Sequence, residues 1–146
     1  MPHSLSSMSR DEVAAFIDRE FPQMHYDGRL HHIEEVGPSY ARLRMDFHER
    51  HVRPGGTLSG PAMMTLADFA LYVAILANVG PVALAVTTNL SFNFLRKPRA
   101  GRGLVAECRL LKLGRRLAVG EVILRSEGEA DSVCHATGTY SIPERR

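Results

Sequence analysis

Residues 55–74 read GGTLSGPAMMTLADFALYVA. The stretch opens on two glycines and a Ser-Gly-Pro step, then runs apolar with one carboxylate, Asp68, in its middle. Ser59 suits a helix N-cap, and Pro61 suits the first turn, where a missing N–H costs nothing. The run is closed by Asn78, Gly80 and Pro81, so a helix is predicted to about Asn78. Met63, Leu66, Ala67, Ala70, Val73, Ala74 and Ala77 share one helical face and are mostly small, which lets a sheet approach the helix axis closely. Asp68 is expected off that face, in a row with Met64, Thr65, Leu71 and Tyr72. That row is itself largely apolar, so a second surface should cover it, and a dimer is expected.

Upstream, Ser9-Arg10-Asp11-Glu12 forms a capping-box pattern before Val13, Ala14, Phe16 and Ile17, which predicts a short amphipathic helix ending near Phe21-Pro22. Between Leu30 and Phe47 two strand-like runs flank Gly37-Pro38-Ser39. In the second, Ala41, Leu43, Met45 and Phe47 alternate with charged residues, as in a hairpin with one wet face. Residues 48–56 read as a polar loop. Downstream, 84–95, 103–112, 117–125 and 132–141 read as strands separated by turn-rich segments. Strands gathered around one very apolar helix argue for an α+β fold in which a curved antiparallel sheet of about six strands wraps that helix. The whole chain, 1–146, is expected to be one domain, with 1–22 as N-terminal segment and helix and 23–146 as the core.

Composition excludes several classes. At 146 residues, 45% hydrophobic and 23% charged, the chain is ordinary for a globular protein. A formal charge of +2 is too mild for a nucleic-acid binder. Cys108 and Cys134 lie in strand-like runs without metal or disulfide spacing, so buried thiols in a reducing, cytoplasmic setting are expected. The first residues lack the apolar core of a signal peptide, and the most apolar run, Phe69 to Ala77, is short for a membrane span. His31-His32 and His48-x-x-His51 have neither helical spacing nor an evident carboxylate partner. They are expected to be solvent-exposed or loop histidines, with no metal bound.

Gly56-Thr57-Leu58-Ser59-Gly60, Leu66-Ala67-Asp68, the Val86-to-Phe92 strand, Phe94-Leu95-Arg96-Lys97-Pro98 and Leu113-Gly114-Arg115-Arg116 occur in an order that resembles the PaaI-like hotdog-fold acyl-CoA thioesterases. The resemblance covers most of the chain. It implies that the Gly60 N–H polarises a thioester carbonyl, that Asp68 activates water or attacks, and that Thr87 helps orient water or acid. It also implies a homodimer, with a homotetramer as the alternative, and coenzyme A as part of the substrate rather than a cofactor. Family members commonly place His-Gly-Gly at Ser59-Gly60-Pro61 and an Asn or Gln near Arg53, so Ser59, Pro61 and Arg53 are candidate substrate contacts, as is Asn89, which with Ser91 is expected to share the Thr87 strand face. A non-catalytic acyl-CoA binding or sensing protein is the rival reading.

The chemistry fits these residue types. Thioester hydrolysis needs electrophilic help at the carbonyl oxygen and a base or nucleophile. Free N–H groups at a helix start supply the first, and a carboxylate supplies the second. Ser59 has no elbow motif or base to make it a nucleophile. Arg96, Arg115 and Arg116, in turns after the strands, are candidates for the phosphates of coenzyme A. With a rise of about 1.5 Å per residue, Gly60 and Asp68 lie roughly 12 Å apart on one helix, too far to act on one carbonyl. Two antiparallel helices about a two-fold axis would bring Gly60 of one subunit to Asp68 of the other.

Overall fold

The computed structural model describes residues 7–144. Helix α1 (Arg10–Glu20) starts with the predicted capping box: the Glu12 N–H donates to Ser9 Oγ, and the Ser9 N–H donates to Glu12 Oε1. Its buried residues Val13, Phe16 and Ile17 dock it on the body of the fold, and a 3₁₀ turn (Pro22–His25) follows. Strands β1 (His31–Gly37) and β2 (Tyr40–Met45) form the expected hairpin, with Gly37 opposite Tyr40. Ala41, Leu43 and Met45 are buried while Arg42 and Arg44 reach Glu34 on the outer face.

The segment predicted as a loop at 48–56 holds more order than its polarity suggested. A 3₁₀ turn (Glu49–His51) leads into the short strands β3 (Val52–Arg53) and β4 (Thr57–Leu58), which pair antiparallel. Gly55 (φ +105°) and Gly56 (φ +83°) make the reversal possible, because side-chain-bearing residues avoid that region. Helix α2 (Gly60–Val79) then runs for 20 residues, capped by Ser59, whose Oγ accepts from the Ala62 N–H at 3.3 Å, and ended at Gly80. After it come β5 (Val86–Phe94), β6 (Leu104–Leu113), β7 (Leu117–Ser126) and β8 (Ser132–Ser141).

All sheet pairings are antiparallel, and the six-stranded order is β1-β2-β6-β7-β8-β5. Because α2 connects the β3–β4 segment to β5, and β5 pairs with β8, the helix lies across the concave face with β1 and β5 at the two edges. This is the hotdog architecture. By length and apolar composition α2 would suit a bilayer, but it is mostly buried inside the fold, as befits a core helix.

One expectation about α2 needs correction. The helical spacing puts Leu71 and Tyr72 in the outer row with Asp68, yet both are buried, and only Met64 and Thr65 of that row are exposed. For Leu71 the reason lies in two facing glycines. Gly120 on β7 and Gly138 on β8 pair directly, and a Cβ on either would come within 2.7 Å or 2.6 Å of a Leu71 methyl. Their missing side chains form a notch that draws Leu71 into the sheet. Gly138→Ala should therefore overpack the core and cost about 1–3 kcal/mol in urea unfolding. A Cβ at Gly138 would also meet a Leu90 methyl at 2.6 Å, so the same substitution should cost less in a Leu71→Ala background and least when Leu90 is shortened as well.

The histidine expectation fails on burial at His31 and on carboxylate partners at His32 and His51. His31 is 6% exposed and sits edge-on to Phe69 at 5.0 Å, with neither ring nitrogen hydrogen-bonded. His32 Nε2 lies 2.8 Å from Asp46 Oδ2, and His51 Nε2 lies 2.9 Å from Asp27 Oδ2. Both pairs are tertiary, so adjacent sequence could not show them. Among the described residues no group of side chains has metal-binding geometry. Burial, followed by the positive neighbours His25 and His51, pushes His31 down to about 4 from 6.5. A histidine held neutral in the fold stabilises it above the unfolded value and loses that contribution as pH falls from 6.5 towards 4. At about 1.4 kcal/mol per unit, the loss approaches roughly 3 kcal/mol. Urea unfolding at pH 7 and at about pH 4 should show it, and His31→Leu should flatten the dependence.

Candidate active site

Asp68 lies in the middle of α2, half-buried, with its side chain turned to the end of the sheet where β5 and β8 pair. Thr87 Oγ1 and the Tyr140 hydroxyl each donate to Asp68 Oδ1 at 2.7 Å. The Tyr140 hydroxyl also lies 3.1 Å from the Asp68 carbonyl oxygen. Oδ2 has no such partner among the described residues. Around it is a cleft of about 380 Å³ lined by Glu20, Phe21, Phe69, Tyr72, Thr87 and Tyr140. Phe21 stands edge-on to both Phe69 and Tyr72. The Tyr72 hydroxyl donates to the Ala83 carbonyl rather than to Asp68.

The pairing of Thr87 with Asp68 depends on a bulge. Thr87 is opposite Tyr140 but Asn89 is opposite Thr139, so the register slips by one at Thr88. The slip reverses the alternation: Thr87, Leu90 and Phe92 face the helix, while Asn89, Ser91 and Asn93 face out. The expectation that Asn89 shares the Thr87 face is therefore wrong, and Asn89 is exposed and away from Asp68.

Gly60 opens α2, where its N–H has no carbonyl one turn back in the helix to accept it. It borders a separate cleft of about 600 Å³, with Arg53, Leu58, Met63, Phe94, Arg96 and Lys97 among the lining. A Cβ at Gly60 would lie 3.7 Å from the Phe94 ring, so the backbone is approachable but not crowded. Ser59 is occupied in capping the helix, and Pro61 is exposed on its first turn. Arg96 donates to the Ser132 carbonyl at 2.9 Å.

Arg115 and Arg116 are not in this cleft. They lie in the β6–β7 turn, and Leu117 just after them pairs with Ser141, which also pairs with Val86. That turn is thus at the Asp68 end of the sheet, and Arg116 is paired there with Glu144 at 3.1 Å. One chain therefore holds Gly60, Arg53, Arg96 and Lys97 in one cleft and Asp68, Thr87 and Tyr140 in another.

Tyr140, Phe21 and Phe69 were not among the residues singled out in the sequence. The available signal for Tyr140 was its place at the end of the Cys134-Ala136-Gly138-Tyr140 alternation. A large phenol ending a row of small inward residues must find a partner for its hydroxyl.

The fold and the clefts define a thioester hydrolase of the hotdog class, and comparison with known proteins agrees. A family model for the thioesterase superfamily matches residues 55–133, and the chain belongs to that superfamily. A Silicibacter protein, described as a "putative thioesterase", has a crystal structure that superposes with a TM-score of 0.84. It is 46% identical, covering 93% of this chain and 92% of that one. A Pseudomonas aeruginosa protein named "Putative esterase" is 37% identical over 76% of this chain and 87% of its own length. A mutant of the phenylacetic acid degradation protein PaaI from Thermus thermophilus is 27% identical with a TM-score of 0.70, over 84% of this chain and 97% of that one.

Proposed function

We propose that the protein hydrolyses acyl-CoA thioesters to free acid and coenzyme A at a site built between two copies of the chain. The observation that carries this reading is the division of the required groups between two clefts. Gly60 and Asp68 on a single α2 cannot reach one carbonyl, whereas two antiparallel copies of α2 would bring each Gly60 to the Asp68 of the partner subunit. The surface for joining is β5, an edge strand whose flanking apolar residues Leu84, Val86, Phe94 and Leu95 are more than half or about half exposed.

In this reading the thioester oxygen accepts from the Gly60 N–H, aided by the positive end of the helix. Asp68 Oδ2 takes a proton from a water whose oxygen attacks the carbonyl carbon. The tetrahedral intermediate collapses, breaking the carbon–sulfur bond, and the coenzyme A thiolate leaves with the electron pair. Thr87 keeps Oδ1 occupied so that Oδ2 faces the water. Direct attack by Asp68 would instead form an anhydride that water then opens, and oxygen-18 incorporated into Asp68 would reveal it. Arg53, Arg96 and Lys97 beside Gly60, with Arg115 and Arg116 of the partner subunit arriving with its Asp68, suit the phosphates of the coenzyme. The buried thiols, pushed up to about 12 at Cys108 and about 11 at Cys134, are inert and fit a cytoplasmic setting.

The test is steady-state hydrolysis of hexanoyl-CoA and benzoyl-CoA, following the released thiol. Turnover that disappears with Asp68 supports the proposal. Tight binding of both without Asp68-dependent thiol release would favour a binding or sensing protein.

A further inference from the structure

Two hydroxyls hold one oxygen of Asp68, and they are not equivalent. Thr87 is on an edge strand, half-exposed, and lines the cleft. Tyr140 is on β8, inside the sheet between β7 and β5, and only 4% exposed. Its hydroxyl reaches both the side-chain Oδ1 and the main-chain oxygen of Asp68, so one group fixes the carboxylate relative to its own backbone. The ring is seated near Tyr72, with centroids 6.3 Å apart.

We infer that Tyr140 is a positioning residue for hydrolysis: its hydroxyl holds Asp68 Oδ1 and leaves Oδ2 aimed at the attacking water. This rests on the reading that Asp68 is the base. Apolar packing alone would be served by Phe, since a buried phenol hydroxyl is costly unless bonded. Here that hydroxyl is directed at the carboxylate. Burial, then the negative charge of Asp68, pushes the phenol far above its ordinary value, so it remains a proton donor across the working range. A donor to a charged acceptor is stronger than a neutral pair, so the bond holds the carboxylate firmly in place.

The test uses the full chain with hexanoyl-CoA and benzoyl-CoA, comparing kcat, KM and the pH–rate profile. Tyr140→Phe is expected to lower kcat roughly tenfold with KM little changed, and to move the acid limb of the profile to higher pH, because one donor to the carboxylate is lost. 3-Fluorotyrosine placed at position 140 alone keeps the ring and makes the hydroxyl a stronger donor, so it should move the limb to lower pH. If Tyr140→Phe does not fold, the fluorinated protein decides. An acid limb unmoved in both proteins, or a kcat loss that follows a fall in melting temperature without a shifted limb, overturns the inference. Asp68→Asn separates the two ideas. If it is inactive while both Tyr140 proteins behave as wild type, only the role of Tyr140 falls; if it retains turnover, the reading of Asp68 falls and the role of Tyr140 with it.

Discussion

Asp68→Asn is expected to lower kcat for acyl-CoA hydrolysis by about 10²- to 10⁴-fold, the range associated with removing a general base. The substitution isolates the chemistry well. An amide oxygen at the Oδ1 position still accepts from Thr87 and Tyr140, so the local hydrogen bonds persist. What changes is the other atom, which becomes an NH2 group unable to take a proton from water. Asp68 has no ion-pair partner among the described residues, so the fold loses little and the melting temperature should stay close to wild type. KM should move little, because the lost interaction develops only in the transition state. A kcat within tenfold of wild type would contradict the assignment.

Much of this was legible in the sequence because it is local. The Ser9 capping box, the Ser59–Pro61 helix start and the strict alternation from Ala41 to Met45 are set by neighbouring residues, and the structure places all three as their patterns predict. An antiparallel sheet wrapped around one helix followed from one exceptionally apolar helix among strands, and the hotdog assignment from the family resemblance. The departures are tertiary. Leu71 moved from the outer row to the core because of Gly120 and Gly138, which lie on strands about 50 and 70 residues later. Asn89 left the Thr87 face because a bulge at Thr88 shifts the register, and alternation patterns assume no bulge.

The candidate site divides along the same line. Gly60, Asp68 and Thr87 were named through the family resemblance, carried by local motifs: the Gly-to-Asp spacing on one helix and the strand that follows it. Tyr140 was missed because its bond to Asp68 spans 72 residues. The histidines were misjudged for a similar reason, since Asp46 and Asp27 become partners of His32 and His51 only when β1, β2 and the 3₁₀ turn pack together.

In the proposed dimer each site takes Gly60 from one subunit and Asp68 from the other. Gly60→Val should disable the first half, because the branched side chain screens the N–H; its Cβ meets the Phe94 ring at an ordinary 3.7 Å, and the melting temperature checks that the γ-methyls leave the fold intact. Each homodimer, Asp68→Ala or Gly60→Val, should be nearly inactive. Unfolding the two proteins together at equal amounts and refolding them gives half mixed dimers. Each mixed dimer would hold one site with Gly60 and Asp68 both intact and one site lacking both, so activity per subunit should return to about a quarter of wild type. Recovery near that fraction supports the shared site. Mixed dimers demonstrated by mass spectrometry that show no activity above the two parents would contradict it.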